Sequence, residues 1–418
     1  MGKTVWIMNH YASHMLFDKG GRHYYFAKYL DRAGYAPIVF CANVQNTKTD
    51  ERYIETDKLW TVKEAEEIHT PFVFVKARAY KGNGIQRILN MVDFYKNVKM
   101  AARKYAQLHE KPEIILASSV HPLTLLAGIQ LARHYGVKCI CEVRDLWPES
   151  LVVYGIMGAK NPIIIAMRIL EKWIYKNADA LIFTAEGMYD YIRKQGWEKA
   201  IPREKAHYIN NGVDLETFDY NREHYTVEDE DLENDELFKI VYAGSIRRVN
   251  ALGLLLDVAK LIKNEKIRLL IWGNGNELES LRQRVIDENI TNTVFKGKVE
   301  KCYVPYITSA ADLNITHNTP SPIFQYGISF NKVFDYLAAG KPILCDFPAN
   351  YNPVIELNAG YEVESGVAPD IARVIDEIST ADEAVLQKYA CNARIGAAEY
   401  TFENLTKKLI TLIESLIE

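Results

Sequence analysis

The 418-residue chain contains no run of about 18 apolar residues, the least a bilayer-crossing helix needs. Its nearest approach, 163–174, is interrupted by Arg168, Glu171 and Lys172, which leaves peripheral membrane contact as the most to be expected. No apolar leader stands at the start either: MGKTVWIMNHYAS reads as a first β-strand. The six cysteines form no CxxC pair, so neither a zinc site nor a disulfide framework is indicated, and a reducing cytoplasm is the expected setting. There is no GxGxxG, which argues against a dinucleotide site of the dehydrogenase type. A net charge of −4 gives no overall attraction to nucleic acid. No solenoid-type repeat is present.

What is present is a globular composition, 48% hydrophobic and 25% charged, in a chain long enough for two or three domains. Short β-branched runs alternate with stretches whose apolar residues recur every three or four positions. In the first half, strands are expected at 4–8, 37–41, 72–76, 113–117, 138–143 and 180–184. The pattern restarts with strands at 239–243, 268–272, 294–296, 312–316 and 342–345. Apolar strands separated by helices predict parallel sheets covered on both faces, hence two doubly wound α/β domains. The expected division is 1–205 and 206–400, with a final amphipathic helix at 401–418. The acidic stretch 220–237, which includes Glu228-Asp229-Glu230-Asp231, reads as a solvated linker.

Ligands of open parallel sheets bind beyond the carboxyl ends of the strands, so the loops there carry the candidate chemistry. After strand one, Gly20-Gly21 precedes a helix whose N-terminus favours anions, with a plain turn as the alternative. Glu142-Val143-Arg144-Asp145-Leu146-Trp147-Pro148-Glu149-Ser150 crowds four charges at a strand end, either as a cleft wall with Asp145 or Glu149 near a sugar hydroxyl or as a structural turn with Arg144 paired to a carboxylate, and His121-Pro122 shares that edge. Gly244-Ser245-Ile246-Arg247-Arg248-Val249-Asn250 combines a glycine turn with two arginines suited to phosphate oxygens. Trp272-Gly273-Asn274-Gly275 offers either close backbone approach to a ligand or turn punctuation. In Gly327-Ile328-Ser329-Phe330-Asn331-Lys332, a glycine-bearing loop enters a helix on which Lys332 and Asp335 share a face. Lys332 could neutralise a phosphate and Asp335 could accept from ribose hydroxyls. The alternative is a surface ion pair between them.

These loops, with NGVD at 211–214, FKGKV at 295–299 and NKVFDYLAAGKP at 331–342, stand in an order and spacing that resembles the retaining GT-B glycosyltransferases of family 4. The similarity is to the bacterial branch that builds O-antigen and capsule. It implies two Rossmann-like domains facing each other across a cleft, with the final helix crossing back onto the first. It also implies a donor site at Gly21, Gly244, Arg247, Arg248, Asn250, Gly273, Gly275, Val299, Gly327, Ile328, Ser329, Asn331, Lys332 and Asp335, and a catalytic group of His121, Arg144 and Asp145. Two departures from the pattern stand out. Gly327 occupies a position where the family often has Glu, and Ser245 one where many members carry Arg.

The expected reaction moves a sugar from a nucleotide-diphosphate donor to a glycan or polyprenyl-diphosphate-linked acceptor, with retention and without cofactor or metal. UDP is favoured by the resemblance, and an N-acetylated sugar is one candidate. The alternatives are a catalytically silent nucleotide-sugar-binding subunit and a sugar-nucleotide 2-epimerase. Between 76 and 111, nine Lys/Arg stand against two acids and interleave with Tyr80, Phe94, Tyr95 and Tyr105. This stretch is the sequence's candidate for contact with an anionic membrane face, with an ordinary solvated helix as the alternative.

Overall fold

A computed structural model of the chain describes residues 2–43, 54, 57–82, 84–119 and 121–417. The chain divides into two compact units, Met1–Asn210 with Phe402–Glu418, and Asn211–Thr401.

The first unit is built on an eight-stranded sheet. Its strands are β1 (Thr4–Met8), β2 (Ala36–Ala42), β3 (Trp60–Ala65), β4 (Thr70–Val75), β5 (Ile114–Ser118), β6 (Lys138–Val143), β7 (Ala180–Phe183) and β8 (Ala206–Tyr208). Their order is β3-β4-β2-β1-β5-β6-β7-β8, parallel except where edge strand β3 pairs antiparallel with β4. β1 is buried along its whole length, as a central strand covered on both faces must be. The final helix, Phe402–Ile417, belongs to this unit. Its stripe of Phe402, Leu405, Leu409, Leu412 and Ile413 joins the core beneath the helix Arg22–Arg32. Each such side chain, fully buried, is worth about 1.5–3 kcal/mol.

The second unit holds a six-stranded parallel sheet of β9 (Phe238–Ala243), β10 (Ile267–Trp272), β11 (Thr293–Gly297), β12 (Leu313–Thr316), β13 (Ile343–Cys345) and β14 (Gly360–Glu362). The order is β11-β10-β9-β12-β13-β14. Two doubly wound α/β units thus meet the fold expectation. The acidic stretch, however, is no free linker. It forms the end of the helix Leu215–His224 and the short helix Glu230–Glu233, which Asp229 caps. Lys296 on β11 then binds Asp229 at 2.7 Å and Asp231 at 2.6 Å. Lys296, 65 residues from Asp231 in sequence, thus pairs with two of the four acids, and Arg268 lies 3.9 Å from Asp231.

In each sheet the order reverses beside one central strand, between β1 and β5 and between β9 and β12. Loops leaving those strands diverge to opposite faces, and a crevice opens at their carboxyl ends. The candidate chemistry lies at these two places.

Candidate functional site

In the second unit the loop after β9 is locked against the loop after β10. Gly244 donates its amide to the Trp272 carbonyl at 3.0 Å, and Ile246 donates to Asn274 at 2.9 Å. The approach leaves no room for side chains: a Cβ on Gly273 would lie 1.8 Å from the Gly244 oxygen, and one on Gly275 would lie 1.9 Å from that of Ile246. The Gly273 amide is itself spent on Gly297 at 2.7 Å. The missing Cβ atoms of these glycines let the two loops close on each other. Val299 packs against the neighbouring cluster of Trp272, Val241 and Leu270.

Lys332 lies in the first turn of the helix Asn331–Ala339 and reaches back to this loop. Its Nζ sits 3.9 Å from the centroid of the Tyr242 ring, beside Gly244. Desolvation pushes its ammonium down to about 7, against the opposing pull of Asp346. Asp335, one turn on, is pushed up to about 7 by the same desolvation, with Lys301 pulling the other way. No ion pair joins Lys332 to Asp335 among the described residues, so the surface-pair alternative does not hold. Opposite charges held unpaired and desolvated at strand ends form a site that an anionic, hydroxyl-bearing ligand would complete. Arg247 and Arg248 stand exposed above it, neither side chain in an ion pair among the described residues. Asn250 accepts from the Ser245 hydroxyl at 2.9 Å and so holds the turn.

Beneath the arginines lies a pair not foreseen from the sequence. His317, just past β12, approaches Asp346, just past β13, at 2.5 Å. Its other nitrogen donates to the carbonyl of Ala251 at 3.1 Å. Both residues are fully buried, and they anchor the end of the turn that carries Arg247 and Arg248. The glycine-bearing loop is tethered as well. Asn211 donates its amide to the Ser329 hydroxyl at 3.2 Å and its side chain to the Ser329 carbonyl at 2.6 Å. Asp214 caps the next helix through Thr217, which gives the NGVD motif a structural role. Gly327 adopts φ +100°, a conformation that disfavours side chains, and Ile328 is buried in the core. Asn331 is exposed at the helix start.

In the first unit Gly21 opens the helix Arg22–Arg32, and Arg22 turns inward. It donates to Glu142 at 2.8 Å and to the carbonyls of Asn210 and Ile209 at 2.5 and 2.9 Å. Glu142 also takes His23 at 2.9 Å and the Ser118 hydroxyl at 2.6 Å. Burial opposes its charge, but Arg22 and His23 outweigh that and hold the carboxyl well below the usual range. This network fastens the first loop to the ends of β5 and β6.

Beside it, His121 Nε2 lies 2.6 Å from His10 Nδ1. His10 is stacked between Tyr11 and Phe94, each at 4.5 Å. Burial, with Arg87 adding to it, takes His121 down to about 3, and His10 is also lowered well below its ordinary value. The two rings are therefore neutral and share one hydrogen. Arg144 makes no ion pair among the described residues, and its Nε is buried without a partner. Asp145 is exposed on the same loop. Glu149, read as a sugar contact, is instead taken by Arg168 at 2.8 Å.

Residues 22–217 match the family model Glycosyltransferase Family 4, and residues 238–380 match Glycosyl transferases group 1. The chain is thus family 4-like, with one glycosyltransferase model matched over most of each unit. It is 24% identical over 273 residues to a Pseudomonas aeruginosa protein named as a probable glycosyltransferase, WbjE, covering 64% of this chain and 66% of that one. TuaH of Bacillus subtilis, named for teichuronic acid biosynthesis, is 24% identical over 212 residues and half of each chain. The matches thus span just under two thirds and one half of these relatives' lengths. Among solved structures, Anabaena Alr3699/HepE in complex with UDP aligns over the whole of both chains at TM-score 0.65 and 13% identity. An E. coli trehalose-6-phosphate protein bound with UDP-2-fluoro glucose aligns over 99% of both at 0.71 and 12%. At such identities these neighbours establish the fold.

Beyond the residues singled out in the sequence, the structure adds His10, His317 and Asp346. A signal existed for all three. His10, His317 and Asp346 each stand one or two residues past the carboxyl end of an expected strand, where a buried polar side chain is costly unless it serves the crevice.

Proposed function

We propose that this glycosyltransferase moves a sugar from a UDP-linked donor to a glycan or lipid-linked acceptor of a bacterial surface polysaccharide, with retention of configuration. The observation that carries the reading is the unpaired, desolvated couple Lys332 and Asp335 at the end of β9. Lys332, with Arg247 and Arg248 above it, would neutralise the diphosphate as charge builds on the leaving group. Asp335 would accept from the ribose hydroxyls, and the Gly327–Ser329 loop would meet phosphate or sugar. In the first unit, His121, Arg144 and Asp145 are the proposed catalytic group. The names of the relatives and the UDP ligands of the structural neighbours support the donor class. The reaction is proposed to need no metal. The DxD pair Asp229 and Asp231 is already engaged by Lys296.

The test is calorimetric titration of the purified chain with UDP, GDP and ADP. UDP should bind most tightly. Lys332→Ala and Arg248→Ala should each weaken it by about 10–100-fold, the scale of a lost charge-assisted contact of ~1.5–3 kcal/mol. Normal UDP binding by both variants would overturn the site. EDTA should leave transfer unchanged.

A further inference from the structure

In the basic, aromatic stretch 76–111, two of the four aromatic residues are not available to a membrane. Phe94 and Tyr105 lie in the core, Phe94 against His10 and Tyr105 against Trp6. A different surface of the same unit has the composition expected of a membrane-docking face. The helix Pro162–Asn177, capped by Asn161, turns Ile164, Ile174 and Tyr175 inward. Its outer face carries Ile163, Ile165, Ile169 (67% exposed) and Trp173, and Ile156 is 63% exposed on the loop before it. Single exposed apolar residues are ordinary, but a contiguous run on one helix face is not.

The charges around this face have one sign. Lys160, Lys172 and Lys176 are exposed. The one acid between 150 and 178, Glu171, points inward and takes hydrogen bonds from Tyr175 at 2.9 Å and Tyr191 at 2.7 Å. Burial pushes its carboxyl up to about 8, so it adds no negative charge near neutrality. Neighbouring Glu149 is paired with Arg168. The surface is therefore apolar, cationic-rimmed and tryptophan-bearing, the composition that lies flat in a headgroup layer. At 16 residues the helix is too short to span a bilayer, and none of the described helices is long and apolar enough to do so.

Its place in the unit adds to the argument. The helix follows β6, and its Arg168 binds Glu149, which lies past β6, four residues after Asp145. The helix Ile85–Leu108, which follows β4, begins at the carboxyl edge of the sheet with Ile85 and Ile88 exposed. We infer that this face docks on an anionic bilayer surface, with Ile163, Ile165 and Ile169 entering the acyl boundary and the three lysines at the headgroups. The inference deepens the proposed lipid-linked acceptor and rests on that reading for its purpose, because a polyprenyl diphosphate would reach the edge along the membrane plane.

The experiment is flotation of the full chain with vesicles of equal parts phosphatidylcholine and phosphatidylglycerol, and with phosphatidylcholine alone. The chain should float with the anionic vesicles, and less so as salt rises. Ile165→Ser/Ile169→Ser should lower partitioning at least about tenfold, since two exposed side chains lose their burial in lipid. Lys160→Gln/Lys172→Gln/Lys176→Gln should abolish the preference for anionic vesicles. UDP titration of the same variants checks that they are folded. No flotation of the parent chain, or equal flotation of the isoleucine variant, overturns the inference. So does a dimer that the isoleucine variant dissociates with no vesicle binding, which would give the face to a second copy. Failure to bind UDP by a chain that still floats would sink the donor reading and leave this one standing.

Discussion

The sharpest test of the donor site is the pH dependence of UDP binding at Lys332. The unliganded ammonium is held down to about 7 by desolvation, relieved in part by Asp346 and by the Tyr242 ring beneath it. A bound diphosphate supplies the missing opposite charge and raises that value. Binding at higher pH must therefore take up a proton. At pH 7 about half of the chains carry the ammonium, and at pH 9 about one in a hundred do. Affinity should fall about 50-fold between those limits, ~2.3 kcal/mol. UDP loses its last phosphate proton near pH ~6, so between about 7.5 and 9 its diphosphate does not titrate. Calorimetry in buffers of different ionisation enthalpy should show uptake approaching one proton at high pH. Lys332→Met keeps the packing and should bind weakly with no pH slope in this range. Asp335, raised to about 7, works in the other direction. Its carboxyl accepts ribose hydroxyls most strongly when ionised, so affinity should also decline below pH 7. A flat profile above pH 7.5, or the same slope in Lys332→Met, would refute the assignment.

Gly273→Ala sets a methyl group 1.8 Å from the Gly244 oxygen. It should cost about 1–3 kcal/mol in urea unfolding and weaken UDP binding by displacing the arginine loop. Glu142→Gln leaves Arg22 buried without a counter-charge and should cost about 3–5 kcal/mol. Because the folded carboxyl titrates below the free value of about 4.3, this contribution is present above that pH and lost as pH falls through the folded value. Urea midpoints of parent and variant should therefore converge in acid. His10→Phe keeps the stacking on Tyr11 and Phe94 but removes the hydrogen bond that sets the His121 tautomer. Turnover should fall about tenfold, ~1.4 kcal/mol, while UDP affinity in the second unit is unchanged. An equal change in both would make His10 merely structural. Gly327→Glu should not improve UDP binding, since φ +100° there costs a side chain about 1–3 kcal/mol of strain. Tighter binding would show that the loop relaxes to use the carboxylate.

The sheet cores were legible in the sequence because β1, β6, β10 and their neighbours are apolar on both faces and bounded by turn residues. The edges were not. β3 exposes Lys63 and Glu64, and the three-residue strands β8 (AHY) and β14 (GYE) lack the apolar run that marks β13 (ILC) at the same length. The acidic run was misread because its meaning depends on Lys296, and only the folded sheet brings the two together. Lys332 and Asp335 were readable since helical spacing puts them on one face. His10 with His121, and His317 with Asp346, join strand ends 111 and 29 residues apart, and local spacing carries no trace of such pairs.

Gly327 shows where pattern and structure part. The sequence presents it as a missing carboxylate, a deletion from an otherwise complete site. In the fold it ends the 3-10 turn Pro322–Tyr326 with positive φ and leads into a segment that Asn211 clamps at Ser329. The backbone is committed to a path that favours glycine. Restoring the family's Glu would therefore set side-chain chemistry against main-chain geometry. On the proposed donor reading, sugar recognition in this chain then has to be built from main-chain groups and from side chains elsewhere on the strand-end loops.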